Sequence, residues 1–364
     1  MKKQRRIGCE LDAIHHTAIR CINRKEGICV ASIYEIAQEV GVSPSTVARA
    51  LRGTGYCSKE NYDKIMAAAK RMNYVPSHAA RSLKSKRTNK ILFCIPDIYN
   101  PFYFGMIKGA SDVLDQYGYY SILCHTRGDA EMEKKMLRNL QEGYGDGMIF
   151  VSFDFNKENI GEVNACGLPV VLTNNYQSLK GEDHFDCVYI DTFEGVSMAC
   201  KHFIDSGFRK IGYIGGDTAV QTGRERFAGF MKAMNEGNVP INQKLLKEGD
   251  FSRASGERSM EELIAAGTVP EALVVANDLM AIGALKACKR RSLRIPADVA
   301  IIGMDNTDLA TCTTPELSSI NMKEEDIGRH AATLLMERIL HGRSEKQTIR
   351  LQPELCLRGS SRRE

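Results

Sequence analysis

From residue 91 onward, short apolar runs alternate with helical patterns, and this alternation constrains the fold more than any other feature of the chain. The runs fall at residues 91–95, 120–124, 148–151, 170–172, 188–190, 211–214, 273–276 and 299–302. Helical periodicity separates most of them, as at 102–117, 131–140, 193–205 and 281–291. Runs without polar alternation suit strands covered on both faces, and alternation with helices builds parallel sheets flanked by helices. A segment of about 270 residues is too long for one comfortable sheet, so two α/β subdomains are expected. Ligands of such sheets bind beyond the carboxyl ends of the strands, and two facing subdomains make a cleft.

The chain before residue 90 has a different character. Residues 33–51 read IYEIAQEVGVSPSTVARAL, with Ile33, Ile36, Ala37 and Val40 at the i, i+3, i+4, i+7 spacing of an apolar helical stripe. Gly41 can take positive φ, Val42 can plug the turn, Ser43 suits an N-cap and Pro44 the first helical position. Two short helices joined by such a turn form a helix-turn-helix, whose second helix can enter the major groove. Ser58 caps a third expected helix, with Tyr62, Ile65, Met66, Ala69 and Met72 as its apolar stripe, and Asn73 and Pro76 end it. Residues 77–83 form a short, marginal helical segment followed by Lys84, Lys86, Arg87 and Lys90. Nucleation is too costly for so short a helix alone, so DNA and a partner chain are expected to support it.

Charge follows the same division. Residues 1–90 hold 18 Lys/Arg against 7 Asp/Glu, a balance of +11, while the rest holds 31 against 38, or −7. A basic module on an acidic body fits a nucleic-acid reader carried by a globular domain. Residues 1–29 carry +4 without clear periodicity and are read as a disordered basic arm or an over-extended start, with Val30 in the initiator position. The spacings of Cys9, His15, His16, Cys21 and Cys29 fit no common zinc pattern, so no metal or cofactor is expected. The twelve cysteines are scattered singly with no secretory signal, which suggests reduced thiols in a cytoplasm. No apolar run approaches the roughly 18 residues that span a membrane.

Several stretches, taken in order, resemble the lactose/galactose repressor (LacI/GalR) family. They are VASIYEIAQEVGVSPSTVARAL, NYVPSHAARSL, PDIYNPFYFGMIKGA, GFRKIGYIGGD with RERFAGF, VVANDLMAIGAL and RIPADVAIIGMDN. The resemblance covers residues 30–358. It implies a helix-turn-helix domain at 30–76, a hinge helix and linker at 77–90, and a periplasmic-binding-protein-like effector and dimerisation domain at 91–364. Within the last, the N-subdomain is placed at about 91–187 and 320–343 and the C-subdomain at about 188–319 and 344–358.

For DNA, the resemblance implies that Pro44, Ser45 and Arg49 face the bases, with Ser43 and Thr46 on phosphates and Leu83 as a minor-groove lever. Arg49 can meet guanine O6 and N7 in bidentate fashion, and an apolar side chain such as Leu83 can wedge between base steps. Ala79 and Ala80 are small enough for paired hinge helices to approach. For the effector, family positions carry over onto Phe102, Tyr103, Asn174, Arg224, Phe251, Asn277 and Asp305. Aromatic faces and bidentate polar groups suit a sugar, and the expected effector is a sugar. One departure stands out: Thr173-Asn174-Asn175 replaces the acidic residue, commonly followed by Arg, of many relatives. It leaves room for a nucleobase, nucleoside or phosphorylated effector.

The expected function is therefore a DNA-binding transcriptional regulator, taken as a repressor, that binds a pseudo-palindromic operator as a homodimer. The C-terminal segment has no leucine heptads for an added coiled coil, so a dimer rather than a tethered tetramer is expected. A regulator driven mainly by a protein partner is the alternative. A transport solute-binding protein fits poorly with the basic helix-turn-helix. An enzyme is not expected, because no nucleophile elbow, Walker loop, dinucleotide fingerprint or metal-ligand set is present.

Overall fold

The computed structural model describes residues 31–75, 82, 87–154, 157–176 and 183–362. The expectations for residues 1–29, for Val30, for Leu83 and for Ala79 and Ala80 lie outside the described residues. The chain divides into two compact units, residues 1–86 and 87–364.

In the first unit, α1 (Ile33–Val40), α2 (Pro44–Arg52) and α3 (Lys59–Arg71) share a small core of Ile36, Ala37, Val47, Ala50, Ile65, Ala68 and Ala69. Ser32 starts α1 through a capping box: its Oγ accepts from Glu35 N at 3.3 Å, and its own N–H donates to Glu35 Oε2 at 2.8 Å. Gly41 ends α1 with φ 74°, which lets the chain reverse into α2. Val42 and Leu51 pack at the core margin. The expected stripe of α3 needs correction. Tyr62 and Met66 are 41% and 40% exposed, and the inward row is Ile65, Ala68, Ala69 and Met72. Tyr62 and Met66 lie about 60° and 100° around the helix from Ile65, and the small alanines on the other side let three short helices close.

The second unit is built on two six-stranded sheets. The first contains β1 (Lys90–Ile95), β2 (Tyr120–His125), β3 (Gly147–Phe150), β4 (Val170–Leu172) and β5 (Asp186–Ile190), connected by α4 (Phe102–Leu114), α5 (Ala130–Gln141) and α6 (Lys157–Cys166). After β5, α7 (Thr192–Asp205) leads into the second sheet. That sheet holds β6 (Ile211–Gly215), β7 (Leu246–Glu248), β8 (Ala272–Val275), β9 (Ala300–Asp305) and β10 (Ser318–Asn321), with α8 (Gln221–Glu236), α9 (Arg253–Ala265) and α10 (Asp278–Arg290) between them. Then α11 (Glu324–His341) returns to the first sheet, β11 (Thr348–Leu351) joins its edge and β12 (Glu354–Cys356) joins the edge of the second. The orders are β11-β5-β4-β3-β1-β2, all parallel, and β12-β10-β9-β8-β6-β7, parallel except for β12. Each sheet reverses its strand order between its first and third strands, which opens a crevice at the carboxyl ends. Every apolar run expected as a strand forms one, and its central residues are buried except in edge strand β2 and at half-buried Tyr189 of β5.

The sheets move three subdomain boundaries, the smallest shift being at residues 320–321, expected in the N-subdomain but part of β10 in the second sheet. All of β5 belongs to the first sheet, so the first crossover follows Ile190 rather than residue 187. Residues 344–351, expected in the C-subdomain, lie with the first sheet because β11 pairs with β5. The cause is electrostatic. Asp186 accepts from Arg338, Arg343 and the Gln347 N–H, and Lys346 pairs with Asp183 at 2.8 Å. Among the described residues, no helix is long and apolar enough to cross a membrane.

Candidate functional site

Two sites emerge, one in each unit. In the first, Ser43 caps α2: its Oγ accepts from Thr46 N at 3.2 Å and lies 2.8 Å from both Ser45 Oγ and Thr46 Oγ1. This cluster holds three hydroxyls around a helix N-terminus, where the helix dipole and free N–H groups favour an anion such as phosphate. One turn later Arg49 is exposed, its Nε 3.4 Å from Ser45 O and its Nη2 3.4 Å from Thr46 Oγ1. Val47 and Ala50 anchor the opposite side of α2 in the core. Ser43, Pro44, Ser45, Thr46 and Arg49 therefore gather at one end and outer side of α2, whereas Leu83 is outside the described residues.

In the second unit, the carboxyl ends of both sheets border a cleft of about 630 Å³, part of it open to solvent. The first sheet supplies Asn100, Phe102 and Tyr103 after β1, Ser152 and Phe153 after β3, and Thr173 and Asn174 after β4. The second supplies Thr222 and Arg226 from α8, with Phe251, Asn277 and Asp305. Six expected effector residues thus line one cavity: Phe102, Tyr103, Asn174, Phe251, Asn277 and Asp305.

Arg224 does not line it. Its side chain is 52% exposed, donates to Thr218 O and Ala219 O, and lies 3.4 Å from Asp154 Oδ1. Arg226 takes its place, with a side chain only 9% exposed. Two residues along an α-helix rotate a side chain by about 200°, so the arginines of RERFAGF point to opposite sides. The phase was legible: Arg226 shares a helical row with Gly229, Phe230 and Ala233, the buried face of α8.

The charged centre lies on the second sheet. Arg226 donates to Ala276 O, sits with its guanidinium carbon 5.4 Å from the Phe251 ring centroid, and has Nη2 4.0 Å from Asp305 Oδ1. Its Nε is buried with no hydrogen-bond partner. Burial pushes the Asp305 carboxyl well above the usual carboxylate range, although Arg226 opposes the shift. Burial also pushes neighbouring Asp278 up to about 7, against hydrogen bonds from Ser319 Oγ at 2.6 Å and Thr307 N at 2.9 Å. Asp305 has φ 118° and Phe251 has φ 65°, left-handed values that side chains rarely adopt. Such strain persists only where surrounding contacts hold it, and it gathers at ligand sites.

Asn277 has a different part from the one expected. It is 1% exposed; its Oδ1 caps α10 by accepting from Met280 N at 2.9 Å, and its Nδ2 donates to Phe251 O at 2.9 Å. It fixes the strained Phe251 backbone, so its first role is to position the aromatic ring. Gly216 completes that support, since a Cβ there would come within 2.0 Å of Phe251 Cζ. Asn174 accepts from the N–H of Asn175 at 2.8 Å, which occupies part of its hydrogen-bonding capacity.

Phe153 was not anticipated. Its ring lies parallel to Phe251, at 5.4 Å between centroids and 8° between planes, with Phe153 on one wall and Phe251 on the other. Thr222 Oγ1 donates to Phe153 O at 3.2 Å across the same gap. The signal available was its place just beyond the apolar run 148–151, at the carboxyl end of a strand. Among the described residues, no group of three or more His, Cys, Asp and Glu side chains could hold a metal ion.

Comparison with known proteins identifies both parts of the chain. Residues 32–77 match the model of bacterial regulatory proteins of the lacI family, and residues 200–361 that of a periplasmic binding protein-like domain. The transcriptional repressor PurR of Aliivibrio salmonicida is 32% identical over 334 residues, covering 91% of this chain and 99% of that protein. PurR of Pasteurella multocida is 32% identical over 332 residues, covering 91% and 98%. Among solved structures, the lac repressor dimer bound to operator and the anti-inducer ONPF superposes with a TM-score of 0.79 at 24% identity, covering 92% and 99%. A complex of the transcriptional regulator CelR with cellobiose gives 0.68 at 26% identity, covering 91% and 100%.

Proposed function

Because the chain belongs to the lacI family of bacterial regulatory proteins, we propose that it is a cytoplasmic, homodimeric transcriptional repressor whose operator affinity is set by a planar nitrogen heterocycle of the nucleobase class held in its cleft. The carrying observation is a cleft walled by the aromatic rings of Phe102, Phe153 and Phe251, with Arg226 and Asp305 as its buried charged pair; Phe153 and Phe251 stack on each other at 5.4 Å, so a planar ligand stacks on one ring in place of the other. A planar heterocycle needs its faces covered and one edge read. Arg226 donates to a ring or carbonyl acceptor, and the Asp305 carboxyl accepts a hydrogen bond from a ring N–H or exocyclic amine. A sugar, the effector expected from the sequence, needs polar partners around its whole rim. Among the described residues Asn277 is committed to the backbone, and the first-sheet wall lines the cleft with the neutral polar groups of Asn100, Ser152, Thr173 and Asn174, so Arg226 and Asp305 are the charged side chains of the lining.

At the DNA, Arg49 and Ser45 read base edges while Ser43 and Thr46 fix register on phosphates. An Arg49→Ala variant loses about 1–3 kcal/mol of discrimination at one base pair of the half-site. Random-sequence selection with both proteins checks this, and an unchanged preferred sequence would count against the assignment. The effector responds to its own differential affinity for the two forms of the protein; equal binding to both would shift nothing.

The test is fluorescence anisotropy on DNA from upstream of the protein's own gene, at one fixed salt concentration because phosphate contacts make affinity steeply salt-dependent. A panel of nucleobases, nucleosides, sugars and sugar phosphates is added. A nucleobase that changes specific binding supports the proposal; a response confined to sugars overturns the ligand class. Binding indifferent to the whole panel directs the search to a protein partner.

A further inference from the structure

Cys94 and Cys124 occupy matching positions on neighbouring parallel strands, the last-but-one residues of β1 and β2. Residues in register across adjacent strands lie about 4.8 Å apart, inside the roughly 4.4–6.8 Å Cα window of a disulfide. Both side chains fall on the sheet face that also carries Leu92 and Ile122 and packs under Met132, Met136 and Leu137 of α5. The Cys124 thiol donates to Ile122 O at 3.5 Å, and the two side chains share one face of neighbouring strands. Their surroundings differ: Cys94 is fully buried, while Cys124 sits on the edge strand and is half-buried. Seven other cysteines are described, and every one of the nine is a free thiol.

We propose that Cys94 and Cys124 form a reversible intramolecular disulfide in the folded protein, made by exchange with a low-molecular-weight disulfide. Cys124 attacks first because it is reachable from solvent. Its thiolate displaces one thiolate from the small disulfide, leaving a mixed disulfide on Cys124. Cys94 then loses its proton to the released thiolate, and its sulfur attacks the Cys124 sulfur and expels the second small thiolate. Two protein thiols are oxidised, and one small disulfide is reduced to two thiols. The hydrogen bond from Cys94 holds the Cys124 thiol below its usual range, whereas burial holds Cys94 well above it, consistent with attacker and resolver. Thiol–disulfide exchange runs in both directions, so a small dithiol that reaches the edge-strand sulfur of Cys124 reopens the bond.

The full chain is incubated natively with oxidised glutathione, trapped with iodoacetamide and mapped by peptide mass spectrometry, with far-UV circular dichroism reporting the fold. The expected result is a Cys94–Cys124 cross-linked peptide, loss of two alkylatable thiols with an unchanged spectrum, and recovery of both on adding dithiothreitol. Cys94→Ser should stop at a stable glutathione adduct on Cys124, and Cys124→Ser should leave Cys94 unmodified. Three outcomes overturn the proposal: full alkylation of Cys124 with no adduct, a wild-type adduct that never resolves onto Cys94, or a cross-link that forms only after unfolding in urea.

Discussion

Asp186 and Asp305 both have almost no exposed surface, Asp305 lying the deeper of the two, and their surroundings drive their carboxyl groups in opposite directions. Asp186 accepts from Arg338 Nε and Nη2 at 2.7 and 2.8 Å, from Arg343 Nη2 at 2.7 Å and from Gln347 N at 2.8 Å. Burial alone would raise its pKa, but these donors outweigh burial and leave it below the usual range. Asp305 has one guanidinium at 4.0 Å and a backbone donor from Asp278, and burial wins. The comparison teaches that several close donors at a shallower site keep Asp186 as a charge that holds the fold, whereas a deeper site with few donors leaves Asp305 an under-paired acid available to a ligand.

The largest effect should come from breaking the saturated site. Asp186→Ala strands two arginines whose side chains are only 9% and 15% exposed, and should lower stability by about 3–5 kcal/mol. Urea denaturation would measure it; a loss below about 1 kcal/mol would mean that the arginines find water or other partners and that the contrast is wrong. Asp305→Asn should leave stability within about 1 kcal/mol of wild type, because it removes an under-paired buried acid. The same variant should lose effector response.

Arg226→Ala comes next, and its readout is ligand rather than fold. Losing a charged hydrogen-bond donor costs about 1.5–3 kcal/mol, a weakening of roughly ten- to more than a hundredfold in the effector concentration that shifts operator binding. DNA affinity without effector should be retained, and an undiminished response would remove Arg226 from the ligand site.

Proton linkage sharpens the contrast with a smaller effect. Asp186, depressed on folding, contributes stability that is fully present above the unfolded aspartate pKa and is lost as pH falls below it and through the lower folded value. Asp278, pushed up to about 7 on folding by burial, acts in the opposite sense. Between about pH 4 and 7 the folded state binds more protons there than the unfolded one, so stability falls as pH rises. Denaturation midpoints of wild type and Asp278→Asn between about pH 5 and 7 should therefore differ in slope, the variant being flatter. Parallel curves would show that Asp278 is ionised throughout.

Sequence periodicity was enough for eight of the strands, because a doubly covered strand must be apolar at nearly every position and little else is; β7, β10, β11 and β12 carry no such run and were not read. It was enough for α2 as well, since Ser43, Pro44 and the inward Val47 each obey a local rule. What stayed hidden depended on contacts distant in the chain. The return of β11 to the first sheet is set by Asp186 meeting arginines more than 150 residues later, at sequence separations of 152 and 157. Phe153 reads as an ordinary aromatic until Phe251 lies parallel to it. The role of Asn277 depends on the carbonyl of Phe251. Arg224 was a different kind of error, for the buried row through Phe230 and Ala233 already favoured Arg226.

The smallest expected effect tests that last distinction. Arg224 and Asp154 are 52% and 37% exposed at 3.4 Å, an arrangement worth at most about 1 kcal/mol after solvent screening. The pair nevertheless spans the cleft, since Asp154 follows β3 of the first sheet and Arg224 lies on α8 of the second. Arg224→Ala should therefore leave thermal stability nearly unchanged and weaken the effector by no more than about fivefold, by easing the opening of the walls rather than by removing a ligand contact. Asp154→Ala should produce the same small shift, and the double variant should add little to either, because each single change already removes the whole interaction. A loss of response in Arg224→Ala as deep as in Arg226→Ala would return Arg224 to the ligand and make the exposed arginine, not the buried one, the partner of the effector.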